Sequence, residues 1–165
     1  MTRDEIMAEI SYDPETGVFT RLRPVQGGRV GPMVLKPHKW TGYTEIQVRR
    51  QKFRAHRVAW LLAYGEWPPG DIDHIDRNRA NNKISNMRIA TDSQNRANSK
   101  INKNNTTGIR GVNWNARDKK YQAIITKDGV RRSLGYFDSI QDAAAAYTKA
   151  AVELFGEFAA PIVTP

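Results

Sequence analysis

Hydrophobic and polar residues alternate with a period of two in the first third of the chain. Between residues 43 and 53, Ile46 and Val48 alternate with polar neighbours, which predicts a strand with one face in a core. A partner strand is predicted at residues 33–40. The pair Thr41-Gly42 suits a tight turn, so the two strands are expected to form a hairpin.

The pattern is less regular before this hairpin and becomes helical after it. A short helical turn is expected between Thr2 and Ile10, and a flexible glycine-containing loop is expected at residues 27–32. From Ala55, apolar residues are spaced three and four apart and are followed by a glycine and two prolines. This spacing predicts a short helix, which ends where those helix breakers begin.

The stretch from residue 70 to residue 98 predicts a strand, a loop, a second strand and a helix. Residues 87–91 have the composition of a short strand. Thr91 and Gln94 stand at the spacing of a capping box, in which each side chain bonds to the other residue's backbone N–H. A helix is therefore expected from about residue 92 to residue 98.

The C-terminal third predicts a separate small domain. Residues 99–107 are rich in Asn, Lys and Thr, which indicates a linker. Ser139 opens an Ala-rich helix with an apolar stripe, and Gly156 ends it. Three strands precede this helix, at 109–114, 121–127 and 131–136. We therefore expect an α+β protein with an N-terminal region at 1–98, a linker at 99–107, and a three-stranded antiparallel sheet packed on one helix at 108–160.

Charge and composition limit the classes of partner and of chemistry that the chain can have. The 165 residues include 26 Lys and Arg against 17 Asp and Glu, giving a formal net charge of +9. Such a surplus favours a polyanionic partner, and the absence of a long apolar span favours nucleic acid over a membrane. The chain has no cysteine, which excludes disulfides, thiolate zinc sites and cysteine nucleophiles. No signal peptide is recognisable at the N-terminus, so a soluble protein of a bacterial or phage-infected cytoplasm is expected.

The segment from Gly70 to Asn98 concentrates residues that bind metals and move protons. Asp73 and an Asn side-chain oxygen are hard donors suited to Mg²⁺. His74 has an ordinary pKa near 6.5 and can take a proton from water near neutral pH. Phosphodiester hydrolysis needs both a cation and a base. Neighbouring residues on a regular strand point to opposite faces, so a shared site requires an irregular strand at Asp73-His74.

The spacing of these residues resembles the HNH endonucleases with the ββα-metal fold, especially those of phage and group I intron homing type. Asn86 and Asn95 follow Asp73-His74 in the expected strand, strand and helix setting. Residues 55–60 and 86–91 also look like this family. The resemblance implies that His74 is the general base, that Asp73 and Asn95 ligate the metal, and that Asn86 orients the imidazole. It also implies one divalent ion, Mg²⁺ in the first instance, with Mn²⁺ or another divalent ion as an alternative.

The C-terminal domain resembles a second family, the ethylene-response-factor (APETALA-type) DNA-binding domain. The matching segments are 108–112, 121–125, 134–138 and 142–147. The chain departs from the plant pattern at Asn113 and Asn115, where basic residues are usual, and at Ser133, where a tryptophan is usual. Strand alternation places polar residues on the outer face of the sheet, where they could contact bases and phosphates or simply face solvent. The candidate DNA-binding residues are Arg110, Asn113, Asn115, Arg117, Gln122, Thr126, Arg131 and Ser133.

The sequence thus predicts a metal-dependent, site-directed endonuclease of homing type that acts on double-stranded DNA. One copy of the motif implies one active site per chain, so a monomer is expected to nick and a homodimer to cut both strands. A DNA-binding regulator with an inactive nuclease domain is the alternative. An RNA-binding protein is a third hypothesis, weakened because the outer face of the predicted sheet lacks the aromatic platform that stacks single strands.

Overall fold

The computed structural model describes residues 1–24, 29–102 and 104–160, which form a mixed α/β structure of small antiparallel sheets and short helices. Part of the predicted loop at 27–32 and one residue of the predicted linker lie outside these residues. The chain divides into two compact units, Met1–Ile89 and Ala90–Pro165. Each unit has its own hydrophobic core, so each is described by itself.

The first unit begins with a short helix and a small antiparallel sheet. The sheet has the strand order β1-β2-β3. Helix α1 starts at a complete capping box between Thr2 and Glu5. The segments are α1 (Arg3–Met7), β1 (Ile10–Tyr12), β2 (Phe19–Arg21) and β3 (Gly31–Pro32).

The remaining elements of the first unit are a hairpin, a helix and a second strand pair. The hairpin is β4 (Glu45–Val48) with β5 (Gln51–Arg54), and helix α2 (Ala55–Tyr64) follows directly. Gly65 ends α2 in a left-handed conformation, as the sequence predicts. Strand β6 (Asp71–His74) pairs with β7 (Met87–Ala90), and a single 3₁₀ turn at Ile84–Asn86 precedes β7.

The predicted long strand at 43–53 is wrong, because the chain turns back in the middle of it. Arg49 and Arg50 have φ values of 45° and 68° and connect β4 to β5. Two left-handed residues are what a tight hairpin turn needs, but glycine or asparagine normally supplies them. The Arg49 guanidinium forms ion pairs with Glu5 and Glu9 at 3.2 and 3.5 Å. The strand predicted at 33–40 is also absent from the described structure. The short strand β3, at residues 31–32, lies just before this range.

The core of the first unit explains why α2 and the hairpin pack together. Ile46 and Val48 are fully buried, as their alternation predicts. They lie in one cluster with the apolar side of α2 and with Ile72 of β6. The other principal members are Ile6, Ile10, Phe19, Val58, Leu61 and Met87.

The second unit contains a three-stranded antiparallel sheet packed on a helix. The segments are α3 (Asp92–Asn98), β8 (Val112–Asn115), β9 (Lys120–Lys127), β10 (Val130–Phe137) and α4 (Ile140–Phe155). The strand order is β10-β9-β8, and α4 packs chiefly on β9. Gly111 must lack a side chain, because a Cβ there would lie 2.2 Å from the ring of Tyr147 on α4.

The compact units do not coincide with the predicted boundary at residues 99–107. Helix α3 lies in the second unit because Ala97 is buried in its core beside Ile109. Part of the predicted linker is also hydrogen bonded within that unit, since Thr107 donates to the carbonyl oxygen of Val112 at 2.8 Å. The assignment of functional domains stays a prediction.

Among the described residues, no helix is long and apolar enough to span a membrane.

His56 couples the stability of the first unit to pH. It lies in the first turn of α2, is 7% exposed, and has a pKa lowered to about 3, chiefly by burial. The unfolded chain binds a proton below about pH 6.5. The folded chain does so only near pH 3, so the stabilisation is complete above pH 6.5 and is lost as the pH falls towards 3.

We therefore predict that replacing His56 with Gln flattens the pH dependence of the free energy of unfolding. The wild-type protein should lose on the order of 3 kcal/mol more than the variant between pH 7 and pH 4. Urea denaturation at a series of pH values measures this difference. His38→Gln, which changes an exposed histidine, should keep the wild-type dependence, and parallel curves for wild type and His56→Gln would contradict the prediction.

Candidate active site

Strand β6 ends in a turn that starts at His74. The N–H of Arg77 donates to the carbonyl oxygen of His74 at 2.8 Å, and Arg77 has a φ of 62°. Asp73 and His74 are both 4% exposed, so neither side of the strand end faces water. Strand β6 ends at His74, and the irregular strand that a site shared by Asp73 and His74 requires stays a prediction.

His74 lies in an aromatic cluster contributed by α2 and by the segment before β4. Its ring is 5.2 Å from the ring of His56, edge to face, and 6.0 Å from the ring of Tyr43. Burial lowers the pKa of His74; the charges of Asp76 and Asp73 oppose this shift, and that of Arg79 adds to it. The imidazole is therefore neutral near neutral pH, the state in which it can accept a proton.

Asp73 contacts the neighbouring strand. Nε and Nη2 of Arg88 on β7 donate to Oδ2 of Asp73 at 3.0 and 2.9 Å. Both side chains are largely buried, and a buried carboxylate is costly unless a cation or several donors compensate it. The guanidinium of Arg88 therefore compensates the charge of the Asp73 carboxylate.

Asn86 organises the loop that follows His74. Its Oδ1 accepts from the N–H of Asp76, while its Nδ2 donates to Oδ1 of Asp76 and to the carbonyl oxygen of Asn81, all at 3.0 Å. The N–H of Ile75 donates to the carbonyl oxygen of Asn86 at 2.9 Å. These bonds fix the backbone on the C-terminal side of His74. The predicted direct hydrogen bond from Asn86 to the imidazole stays a prediction.

Asn95 lies on α3, in the second unit, and is half-buried. The helix starts at the predicted capping box, because Thr91 Oγ1 accepts from the N–H of Gln94 and the Gln94 side chain accepts from the N–H of Thr91. Shared ligation of one ion by Asp73 and Asn95 stays a prediction. Within the described part of the chain, no group of three or more His, Asp or Glu side chains could hold a metal.

Several candidate DNA-binding residues lie together on one face of the second unit's sheet. Register places Asn113 opposite Gln122, Ser133 opposite Ile124, and Arg131 opposite Thr126. Directly opposed residues share a face, and this face is the one turned away from the buried Ala123 and Ile125. Asn113, Thr126, Arg131 and Ser133 are exposed, and Gln122 is half-buried.

Tyr136 belongs to the same face and was missed from the sequence. It stands opposite Gln122, whose Nε2 donates to the tyrosine hydroxyl at 3.0 Å. The register shifts between Ser133 and Gly135, so one residue is inserted into β10. Strict alternation from Arg131 and Ser133 would place residue 135 on this face, whereas the bulge places Tyr136 there. Only the glycine at 135 marks the bulge in the sequence.

Three other candidates have mainly local contacts. The guanidinium of Arg110 donates to the carbonyl oxygens of Arg96 and Ser99, and it lines a cleft of about 580 Å³ in the second unit. Asn115 caps the turn after β8, since its Oδ1 accepts from the N–H of Arg117 at 3.0 Å and of Asp118 at 3.2 Å. Arg117 is exposed at that turn. Their DNA contacts stay predictions.

The first unit therefore presents a buried neutral imidazole beside a buried carboxylate, on a strongly basic chain. These are the groups of an enzyme that hydrolyses phosphodiesters. Residues 53–97 match the family model described as HNH endonuclease.

Two curated proteins are similar over much of their length. The chain is 38% identical over 136 residues to "Uncharacterized HNH endonuclease L560" of Acanthamoeba polyphaga mimivirus, covering 79% of this chain and 69% of that protein. It is 34% identical over 107 residues to "Protein 3.8" of Escherichia phage T7, covering 64% and 88% respectively. No solved structure gives a significant match. The chain belongs to the HNH endonuclease family, and it is a DNA nuclease.

Replacing Asn86 with Ala should destabilise the protein, because it removes three hydrogen bonds and leaves partly buried groups of the loop without partners. We expect a loss of about 2–3 kcal/mol in the free energy of unfolding, measured by urea denaturation. Asn113→Ala, on the exposed sheet face, is the matched control and should change it by less than about 0.5 kcal/mol. Equal effects of the two variants would show that Asn86 does not hold the loop.

Proposed function

We propose that the protein is a metal-dependent, site-directed DNA endonuclease of homing type. The observation that carries the proposal is that Asp73 and His74 are both buried at the end of β6, with a histidine that burial keeps neutral. The double-stranded substrate also suits the formal net charge of +9.

In this proposal His74 is the general base. The neutral imidazole takes a proton from the attacking water, and the turn fixed by Asn86 holds the backbone on its C-terminal side. The donors fit a hard divalent cation, because Asp73 offers carboxylate oxygen and Asn95 offers amide oxygen. Asp73 and Asn95 would hold that ion, Mg²⁺ in the first instance with Mn²⁺ as the alternative. A bound ion would stabilise negative charge on the phosphate and the leaving oxygen.

The first test is nicking of supercoiled plasmid in the presence of Mg²⁺. His74→Ala should lower the rate at least about 100-fold, because general base catalysis contributes roughly that much or more. Asp73→Ala and Asn95→Ala should each require more Mg²⁺ for the same rate. Chelation with EDTA should stop the wild-type reaction, and added Mg²⁺ should restore it.

Binding assays on the same proteins separate the enzyme from its alternative. His74→Ala should bind duplex DNA as the wild type does. Wild-type nicking rates in His74→Ala would overturn the assignment of the base. DNA binding without cleavage by the wild type under Mg²⁺ or Mn²⁺ would instead indicate a DNA-binding regulator with an inactive nuclease domain.

We further propose that the three-stranded sheet of the second unit binds DNA in the manner of the ethylene-response-factor domain. The support is a sheet face that carries mainly polar residues and Arg131 around the buried Ile124, opposite the face that packs on α4. A sheet of this size can enter the major groove, where Gln and Asn read base edges and Arg contacts bases or phosphates.

With one active site per chain, a monomer nicks one strand and a homodimer cuts both.

This face can be tested by two substitutions, one on β9 and one on β10. Gln122→Ala should weaken binding to the preferred site by about 1–3 kcal/mol relative to random DNA, because it removes a base-edge contact. Arg131→Gln should weaken binding to both DNAs. Lys149→Gln changes an exposed residue of α4 and is the charge control. Unchanged affinity in both sheet variants would contradict a DNA-binding role for this face.

A further inference from the structure

The first unit has a hydrogen-bonded turn that carries an exposed aromatic ring and ends at Tyr43 of the His74 cluster. The N–H of His38 donates to the carbonyl oxygen of Tyr43, and the N–H of Gly42 donates to the carbonyl oxygen of His38, both at 2.8 Å. At the tip of this turn, Trp40 is 82% exposed. The ammonium group of Lys39 lies 5.2 Å from the centre of the Trp40 ring. An indole in water, held on a closed turn, is available to a ligand that can cover it.

Arg79 connects this turn to the loop that follows His74. Its Nη1 donates to the carbonyl oxygen of Thr41 at 2.9 Å, and its guanidinium carbon lies 4.7 Å from the centre of the Tyr43 ring. The Tyr43 ring is in turn 6.0 Å from the ring of His74. Arg79 is exposed, so its cation is held close to His74 and still reaches solvent.

The positive charge of this surface is not neutralised by its own loop. The carboxylate of Asp76 accepts from Asn78, Asn81 and Asn86 at 2.7, 2.7 and 3.0 Å. None of the ion pairs formed by the described residues includes Lys39 or Arg79. A guanidinium fixed by one contact keeps other N–H groups for a phosphate.

We propose that Lys39, Trp40 and Arg79 form a second DNA-contact surface, which we call the Trp40 surface. Arg79 and Lys39 bind phosphates of the strand presented to His74, and the Trp40 ring stacks on a base of the same strand that has left the helical stack. This inference rests on the proposed nuclease function and goes beyond it. It assigns DNA contacts to the first unit that are separate from those proposed for the sheet in the second unit.

The experiment measures equilibrium binding of the full chain in a His74→Ala background, which prevents cleavage. The probes are two short duplexes that share one labelled strand. Its complement is fully matched in one probe and mismatched at the centre in the other, which leaves a bubble of unpaired bases. Affinity is measured over a range of salt concentrations. Each phosphate contact makes the slope of log K against log salt more negative by about 0.9.

Arg79→Gln and Lys39→Gln should each make that slope less negative by about 0.9. Trp40→Ala should keep the slope and weaken binding to the bubble probe by about 5- to 150-fold, with a smaller effect on the paired probe. Arg23→Gln removes the same charge from an exposed position after β2 and should keep the parent slope. Arg79→Lys keeps the charge and should also keep the slope, which guards against loss through misfolding.

Parent slopes in both Arg79→Gln and Lys39→Gln would overturn the Trp40 surface, and so would an equal loss in Arg23→Gln. Equal losses on the two probes in Trp40→Ala would overturn the stacking role. In each of these cases, metal-dependent nicking by the wild type would leave the proposed function standing. A wild-type chain that neither nicks nor binds duplex DNA would remove the proposed function itself.

Discussion

The site depends on the amide of Asn86, which holds the loop between β6 and β7 in one conformation. Three of its hydrogen bonds reach Asp76 and Asn81. The N-terminal strands support the far end of the same loop, because the Tyr12 hydroxyl donates to the carbonyl oxygen of Asn82 at 2.6 Å. Gly17 approaches that loop so closely that a Cβ would lie 2.7 Å from the backbone nitrogen of Lys83. The N-terminal region therefore supports the histidine's surroundings as well as covering the core.

Burial of the imidazole has both a cost and a use. Two histidine rings pack edge to face at 5.2 Å, and burial lowers the pKa of both. Charging His56 would place a cation near Arg57, Arg54 and Arg79, and charging His74 would place one near Arg79, although burial is the larger cause for both rings. The arginines thus act in two ways: they add to the effect of burial on the histidine pKa values, and those with exposed guanidinium groups attract a polyanion. The same positive charges therefore favour the neutral form of the base and attract a polyanionic substrate.

The sequence was informative where the local rules of helices and sheets decide the structure. The capping box at Thr91 and the helix stop at Gly65 are where the pattern puts them. It failed where distant contacts override local preference. The turn at Arg49 and Arg50 has neither glycine nor asparagine, and the ion pairs of Arg49 with Glu5 and Glu9 have no local signature in the sequence. The spacing of the motif predicts Asp73, His74, Asn86 and Asn95 as site residues, and their roles stay predictions. The partners of Asp73 and Asn86 and the position of Arg79 come from contacts between segments distant in sequence, which the spacing does not encode.

The order of Asp73 and His74 matters as much as their presence. On β6 the carboxylate meets the guanidinium of Arg88, while the next residue meets the rings of His56 and Tyr43. Both sides of this short strand end are buried, so adjacent residues face two different environments and each finds its own partner. Exchanging them would put a carboxylate among aromatic rings and an imidazole against a guanidinium. Neither group would then have the contact that offsets its burial, so the same two residues in the other order would not make the same site.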